Sequence, residues 1–361
     1  MKVLHVITML DTGGAERLMV DLLPSLQKHD GIEVELLLHN GTDTPFKQEL
    51  KQKGIKISEL GFGDIVHYTW SVYKPQNILK LKKYIDKFDI IHTHNTACQF
   101  YVPVAKCLFG SNAKLVTTEH NSTNRRRSIS CFKPFDHWMY NQYDSIICIS
   151  DQTRKNLEEY IGPKDTITTI YNGVEVARFL RPIKNIKGNN NFVITMVAGF
   201  RVQKDHETML KAMNRLPDNY KLRLVGRGET EGKIKDLCSD LCLDEKVSFM
   251  GMRTDVQDLL DESDVIVLSS HWEGLSLSSI EGMASGRPFV ASDVDGLHEI
   301  VNGAGILFPH GDDKALAESI KQLCENPTYY REVAEACQSR AQGYDICEMA
   351  DAYFALYRSL L

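Results

Sequence analysis

A two-domain α/β architecture, each domain a doubly wound parallel sheet with helices on both faces, is what this sequence predicts, and three observations predict it. Short apolar runs alternate with stretches of helical periodicity, as βαβ units require. The alternation is interrupted at one polar stretch, RPIKNIKGNNN (181–191), and then restarts. The chain has 361 residues, and domains of about 100–200 residues make two the natural division.

Val3 to Thr8 reads as the first strand, and Gly13-Gly14 after it opens an amphipathic helix in MLDTGGAERLMVDLLPSLQKH. A loop without Cβ atoms lets backbone amides approach a phosphate or a reacting sugar closely; a tight turn before a helix is the other reading. The G-x-G-x-x-G spacing of a dinucleotide fingerprint is missing, which argues against a nicotinamide cofactor. Further strands read at Glu33–Leu38, Lys56–Leu60, Asp89–Thr93, Lys114–Glu119 and Ser145–Ile149. The expected first domain is 1–180, with 181–191 as linker and 192–343 as the second domain. In the second, strands read at Phe192–Ala198, Leu222–Val225, Val247–Phe249, Val265–Leu268 and Pro288–Ser292. The final stretch, 344–361, is an amphipathic helix with Ile346, Met349, Tyr353, Leu356, Tyr357 and Leu360 on one stripe. Periodicity allows it to pack on its own domain or to cross back to the first.

Composition excludes several classes. A net charge of −6 argues against a general nucleic-acid binder. Nine cysteines, an odd number with no Cys-x-x-Cys, sit mostly inside apolar patterns. They indicate a reducing compartment and no structural zinc. The N-terminal apolar run is too short for a signal peptide, and no window approaches 18 apolar residues, so a cytoplasmic protein is expected.

The stretch HWEGLSLSSIEGMASGRPFVASDVDG, His271 to Gly296, concentrates the chemistry. A buried strand, Val265–Leu268, precedes it, and Leu277 to Ala284 reads as a helix whose first N–H groups at Ser276 and Leu277 suit an anion. Glu273 precedes that helix and Glu281 lies in its second turn, eight positions on. Two acids beside an anion site repel a phosphate unless each has a hydroxyl to bind, and a sugar nucleotide supplies both. Arg201 and Lys204, in GFRVQKDHETML, follow the strand that opens the second domain, where cations would neutralise a diphosphate; a solvated basic face is the alternative. His120, in TTEHN, ends a strand of the first domain. His92 and His94, in IIHTHN, lack a third ligand for a metal; His94 reads as lining and His92 as packing. Arg125, Arg126, Arg127, Phe132 and Trp138 interleave cations with aromatics, which suits an anionic membrane surface or equally an active-site loop before a packed helix.

Together these residues resemble the E-x7-E signature of the retaining glycosyltransferases of family 4, which have the two-domain GT-B architecture, with the domains facing across a cleft. The flanking EGL, the GRPFVAS strand and the Asp-x-x-G that follows carry the resemblance, as does Asn172-Gly173-Val174 with Phe179. It implies transfer of a hexosyl unit, with retention, from a nucleoside-diphosphate sugar (UDP- ahead of GDP-) to a hydroxyl of a saccharide or polyprenyl-linked saccharide, in surface polysaccharide assembly. Glu273 would orient the sugar and stabilise developing positive charge, His120 would contact it, and Glu281 would hold ribose. Gly13, Gly14, Arg201, Lys204, Gly274, Ser276 and Leu277 would border the diphosphate, and Gly226 and Arg253 the base. The family's commoner pattern places the arginine five residues before the lysine, where this chain has Gly199. No Asp-x-Asp metal pattern is read in the chain, so no divalent ion and no cofactor are expected to be required; the resemblance implies a place at the inner face of the membrane. A sugar-nucleotide epimerase of the same fold, or a non-catalytic sugar-nucleotide-binding protein, are the alternatives.

Overall fold

The computed structural model describes residues 1–11, 13–61, 76–121, 127, 129–186, 188 and 190–361. The chain divides into two compact units: Met1–Gly173 together with Ile346–Leu361, and Val174–Asp345.

In the first unit, β1 (Lys2–Ile7), β2 (Glu33–Leu38), β3 (Lys56–Glu59), β4 (Ile90–His94), β5 (Lys114–Glu119), β6 (Ser145–Cys148) and β7 (Ile167–Thr169) form one sheet in the order β3-β2-β1-β4-β5-β6-β7. Every pairing is parallel. Helices such as Gly14–Leu26 and Thr96–Phe109 cover it, so β1 is buried at every position after Lys2 and reads as a continuous apolar run. The second unit repeats the plan with β8 (Phe192–Val197), β9 (Tyr220–Val225), β10 (Val247–Gly251), β11 (Val265–Leu268), β12 (Phe289–Ser292) and β13 (Ile306–Phe308), ordered β10-β9-β8-β11-β12-β13. It too is wholly parallel.

Sequence reading supplies six strands and five; the sheets have seven and six. The additional strands, β7 and β13, are three-residue edge strands, too short to carry a period. The polar stretch 181–191, read as a linker, lies in the second unit. Its backbone is held there: Arg287 Nη1 donates to Pro182 O at 3.1 Å, Gln338 Nε2 to Arg181 O at 2.8 Å, and Lys184 N to Gly286 O at 3.3 Å. Polar composition marks these residues as solvent-facing at the side chain and says nothing of where the backbone is tied.

The helix Ile346–Leu360 packs in the first unit, along Gly14–Leu26. It buries Ile346, Met349, Ala350, Tyr353 and Tyr357, an i, i+3, i+4 stripe. Deleting 346–361 strips that face of its cover, and burial of several large side chains at about 1.5–3 kcal/mol each is then lost. The truncated chain is expected to lose cooperative unfolding of the first unit, measured by urea titration of far-ultraviolet circular dichroism.

Candidate functional site

In an open parallel sheet, ligands bind outside the carboxyl ends of the strands, where the strand order reverses. The second sheet reverses between β8 and β11, which are neighbours. The loop after β8 carries Arg201 and Lys204, and the loop after β11 carries Glu273, Gly274 and Ser276. Topology therefore brings these predicted residues together from sequence positions some seventy apart.

Glu273 is buried, 5% exposed. Its Oε1 accepts from Lys204 Nζ at 2.5 Å and Ser270 Oγ at 2.5 Å, and its Oε2 from Gln203 Nε2 at 3.3 Å. Three donors satisfy a carboxylate that burial would otherwise penalise. The loops that hold them are cross-tied. His271 N donates to Gln203 O at 2.7 Å, and Ser269 Oγ to Asp205 O at 2.9 Å. Asp205 takes the left-handed conformation at φ 44° and caps the helix His206–Arg215 through Thr208 N. His206 stacks on Phe200 with ring centroids 4.3 Å apart. Burial, then the Lys204 charge, depress its pKa to about 4, so it stands beside the site as a neutral ring.

The helix Leu277–Ala284 begins at Ser276 with no side-chain cap. The N–H groups of Leu277 and Ser278 have no partner among the described residues, and a helix N-terminus carries about half a positive charge. The helix lies close on the sheet because Gly282 has no Cβ: one there would stand 2.9 Å from Ile266 Cγ2 and from the Phe289 ring. Glu281 is half-buried on this helix. Arg201 is exposed at the turn before Lys204. Gly226 and Gly228 let the loop after β9 pass against the loop after β8, since a Cβ would meet Ala198 O and Phe200 O at 2.2 Å. Arg253, after β10, is exposed and forks onto Asp255 at 2.8 and 2.5 Å. Asp293-Val294-Asp295 has the Asp-x-Asp spacing of many metal sites, although sequence reading assigned none; both acids are exposed, and Asp293 Oδ1 is bonded to His298 Nδ1 at 2.6 Å.

In the first unit the sheet reverses between β1 and β4. Gly13 follows β1 as the N-cap of Gly14–Leu26, with extended backbone at φ −94°. His120 follows β5, partly exposed. His94 does not line a surface as expected: it is fully buried, bonded to His120 Nε2 at 3.0 Å on one side and to His5 Nδ1 at 2.9 Å on the other. Strand register explains the cluster, because His5 pairs with His92 and His94 with Thr118 across β1, β4 and β5, on one face. Burial depresses His5 to about 3 and His120 to about 4, and pushes His92 and His94 well below the usual histidine range. Arg127, read as a membrane cation, is instead inside: its Nη2 donates to Glu119 Oε2 at 2.7 Å and to the Tyr140 hydroxyl oxygen at 3.2 Å. The buried carboxylate Glu119 recruits it. Arg125 and Arg126 lie outside the described residues, while Phe132 and Trp138 are exposed. Among the described residues no helix is long and apolar enough to cross a membrane.

Two family models divide the chain between them. Residues 12–178 match Glycosyltransferase Family 4 and residues 178–342 match Glycosyl transferases group 1. The chain belongs to these glycosyltransferase families. The glycosyltransferase is 28% identical over 317 residues to the EpsD protein of Bacillus subtilis (strain 168), covering 79% of this chain and 82% of that one. It is 27% identical to the UDP-Gal:alpha-D-GlcNAc-diphosphoundecaprenol alpha-1,3-galactosyltransferase of Escherichia coli, over 77% of this chain and 76% of that one. Its fold matches that of Anabaena Alr3699/HepE, solved in complex with UDP and glucose, at a TM-score of 0.84 and 21% identity over 99% of this chain and 100% of that one. The fold is GT-B.

Sequence reading missed Gln203 and Ser270, which complete the hydrogen bonding of Glu273, and His5, which links the buried imidazoles and is the third ring that the reading of His92 and His94 lacked, one nitrogen of each lying within 4.8 Å of the others. Gln203 and Ser270 had a signal, standing beside Lys204 and just before the His271 stretch; His5 had none inside an apolar strand.

Two outcomes follow from this geometry. Gly296 sits at φ 79°, where a Cβ would stand 2.5 Å from Gly274 O and 2.6 Å from Glu273 O. Gly296→Ala is expected to lose at least about 1–2 kcal/mol from the left-handed backbone alone, read by denaturant melts. The second concerns acid. His5, His92 and His94 have folded pKa values below the ordinary 6.5, so the unfolded chain binds more protons below that pH. Stability is then complete above pH ~6.5 and falls as pH drops toward 4, by up to ~1.4 kcal/mol per pH unit per ring. Urea midpoints measured across that range should fall steeply, and less steeply in His5→Gln.

Proposed function

We propose that this glycosyltransferase moves a hexosyl unit, with retention, from a nucleoside-diphosphate sugar to a hydroxyl of a saccharide or lipid-linked saccharide acceptor of surface polysaccharide assembly, with UDP the carrier ahead of GDP. One observation carries the reading: a buried carboxylate, Glu273, bonded to Lys204 beside an uncapped helix N-terminus where the second sheet reverses. A diphosphate needs the cations and the N–H groups; a sugar needs the carboxylate. The Escherichia coli relative's name, with UDP-Gal as donor and a diphosphoundecaprenol acceptor, supports this choice of substrates.

In this reading the second unit holds the donor and the first unit the acceptor. Phosphate oxygens compete with Glu273 for Lys204 Nζ, and the released carboxylate accepts sugar hydroxyls and faces the positive charge that develops as the glycosidic bond breaks. Leu277 and Ser278 N–H groups and Arg201 take charge gathering on the leaving diphosphate. Glu281 holds ribose, Gly226 and Arg253 border the base, Gly13 and Gly14 border the diphosphate, and His120 contacts the transferred sugar. No step is assigned to a divalent ion.

The test is a calorimetric and thermal-shift panel of UDP, GDP, ADP and their sugars, run in EDTA with wild type, Glu273→Gln and Glu281→Gln. UDP is expected to stabilise the wild type and to lose that effect in Glu281→Gln. Glu273→Gln frees Lys204 and removes a negative charge, so UDP affinity should hold or rise while kcat falls by about a hundredfold or more. Isomerised nucleotide sugar as the product would replace transferase by epimerase, and binding without turnover in the wild type would reduce the protein to a sugar-nucleotide binder.

A further inference from the structure

The buried imidazoles of the first unit form a continuous hydrogen-bonded chain whose far end lies on the C-terminal helix. Tyr353 OH meets Thr118 Oγ1 at 3.0 Å, and Thr118 Oγ1 meets His92 Nε2 at 2.8 Å. His92 Nδ1 meets Tyr357 OH at 2.5 Å, and Tyr357 OH meets His5 Nε2 at 3.4 Å. His5 Nδ1 meets His94 Nε2 at 2.9 Å, and His94 Nδ1 meets His120 Nε2 at 3.0 Å. Every member except His120 is fully or almost fully buried. The remaining nitrogen, His120 Nδ1, has no partner among the described residues and is not sealed from solvent.

A neutral imidazole has one N–H and one bare nitrogen, so each link in such a chain dictates the next. Only two directions connect all the members. In one, Tyr353 donates to Thr118, Thr118 to His92 Nε2, His92 Nδ1 to Tyr357, Tyr357 to His5 Nε2, His5 Nδ1 to His94 Nε2 and His94 Nδ1 to His120 Nε2. Every hydrogen then has an acceptor, and the last N–H, on His120 Nδ1, points out. In the other, every ring carries its proton on Nε2, and the chain ends at a Tyr353 O–H that has no acceptor among the described residues. A buried donor without a partner is the more costly fault, so the first direction is selected.

We propose that Tyr353, Thr118, His92, Tyr357, His5 and His94 act as positioning residues that lock His120 in the Nδ1–H tautomer, so that it presents a hydrogen-bond donor outward. His120 then takes a ligand oxygen through its lone pair, whether hydroxyl or phosphate, and does not accept a proton from an attacking hydroxyl. That ligand half rests on the glycosyltransferase reading of His120; the tautomer half stands on the chain alone. The depressed pKa values agree with rings that stay neutral.

Two-bond proton–nitrogen-15 correlation spectra of the full-length protein without ligand test it, with His120 assigned by its loss in His120→Asn. Protonated Nδ1 and bare Nε2 are expected at His5, His92, His94 and His120, unmoved between mildly acidic and mildly alkaline pH. A protonated Nε2 at His120, or a shift averaged between tautomers, would overturn the proposal. Tyr357→Phe removes the donor to His5 Nε2, so the first direction leaves an unfilled acceptor there and the second an unpartnered N–H, and the preference for the first narrows. His5, His94 and His120 should then keep the Nδ1–H form as the major species but gain a measurable minor Nε2–H population, with an unchanged circular dichroism spectrum; tautomer signals identical to wild type would refute the chain as their cause. UDP-glucose should move the His120 Nδ1 signal alone. An intact tautomer pattern that ignores UDP-glucose would keep the chain and remove the nucleotide-sugar reading.

Discussion

Both units depend on one constraint: a parallel sheet whose strand order reverses beside its first strand. Parallel strands need crossovers, crossovers cover both faces, and the only places left open are the strand ends. At the reversal, neighbouring loops diverge to opposite faces and leave a crevice. In the second unit the loops after β8 and β11 border it. Lys204 and Glu273 meet there because the fold has nowhere else to put them.

The Lys204–Glu273 pair is weak evidence for stability. Desolvating two charges offsets most of their attraction, and a buried pair often contributes nothing over an apolar replacement. Its significance is that both members are held in place, with the carboxylate on the loop that leads into the uncapped helix start. Close backbone packing supports the arrangement. Gly226, Gly228 and Gly296 sit where a Cβ would collide with carbonyl oxygens of adjoining loops. The glycines around the site thus set loop spacing rather than flexibility.

The first unit handles polar burial differently. His5, His92 and His94 lie where an aliphatic core would pack equally well, and each loses its solvation. Hydrogen bonds from ring to ring and to Tyr353, Tyr357 and Thr118 offset that loss. Such a network specifies geometry more than it stabilises. It also ties β1, β4 and β5 to the C-terminal helix through oriented contacts that apolar packing cannot provide.

The alternating pattern by itself determined the fold class, because helix and strand periods are local properties of consecutive side chains. The helix Leu277–Ala284 and the charged and glycine positions around it were legible for the same reason: apolar strand, small polar residues and acids stand in one short stretch. Three-residue edge strands carried no period and were not legible. Tertiary structure alone decided the partners. Glu273 bonds Lys204 across 69 positions, and Tyr357 reaches His5 across 352. It also drew Arg127 inward to Glu119 and sealed His94 between two other rings. A side chain's type states which bonds it can make; only the chain's path in space states which atoms are within reach.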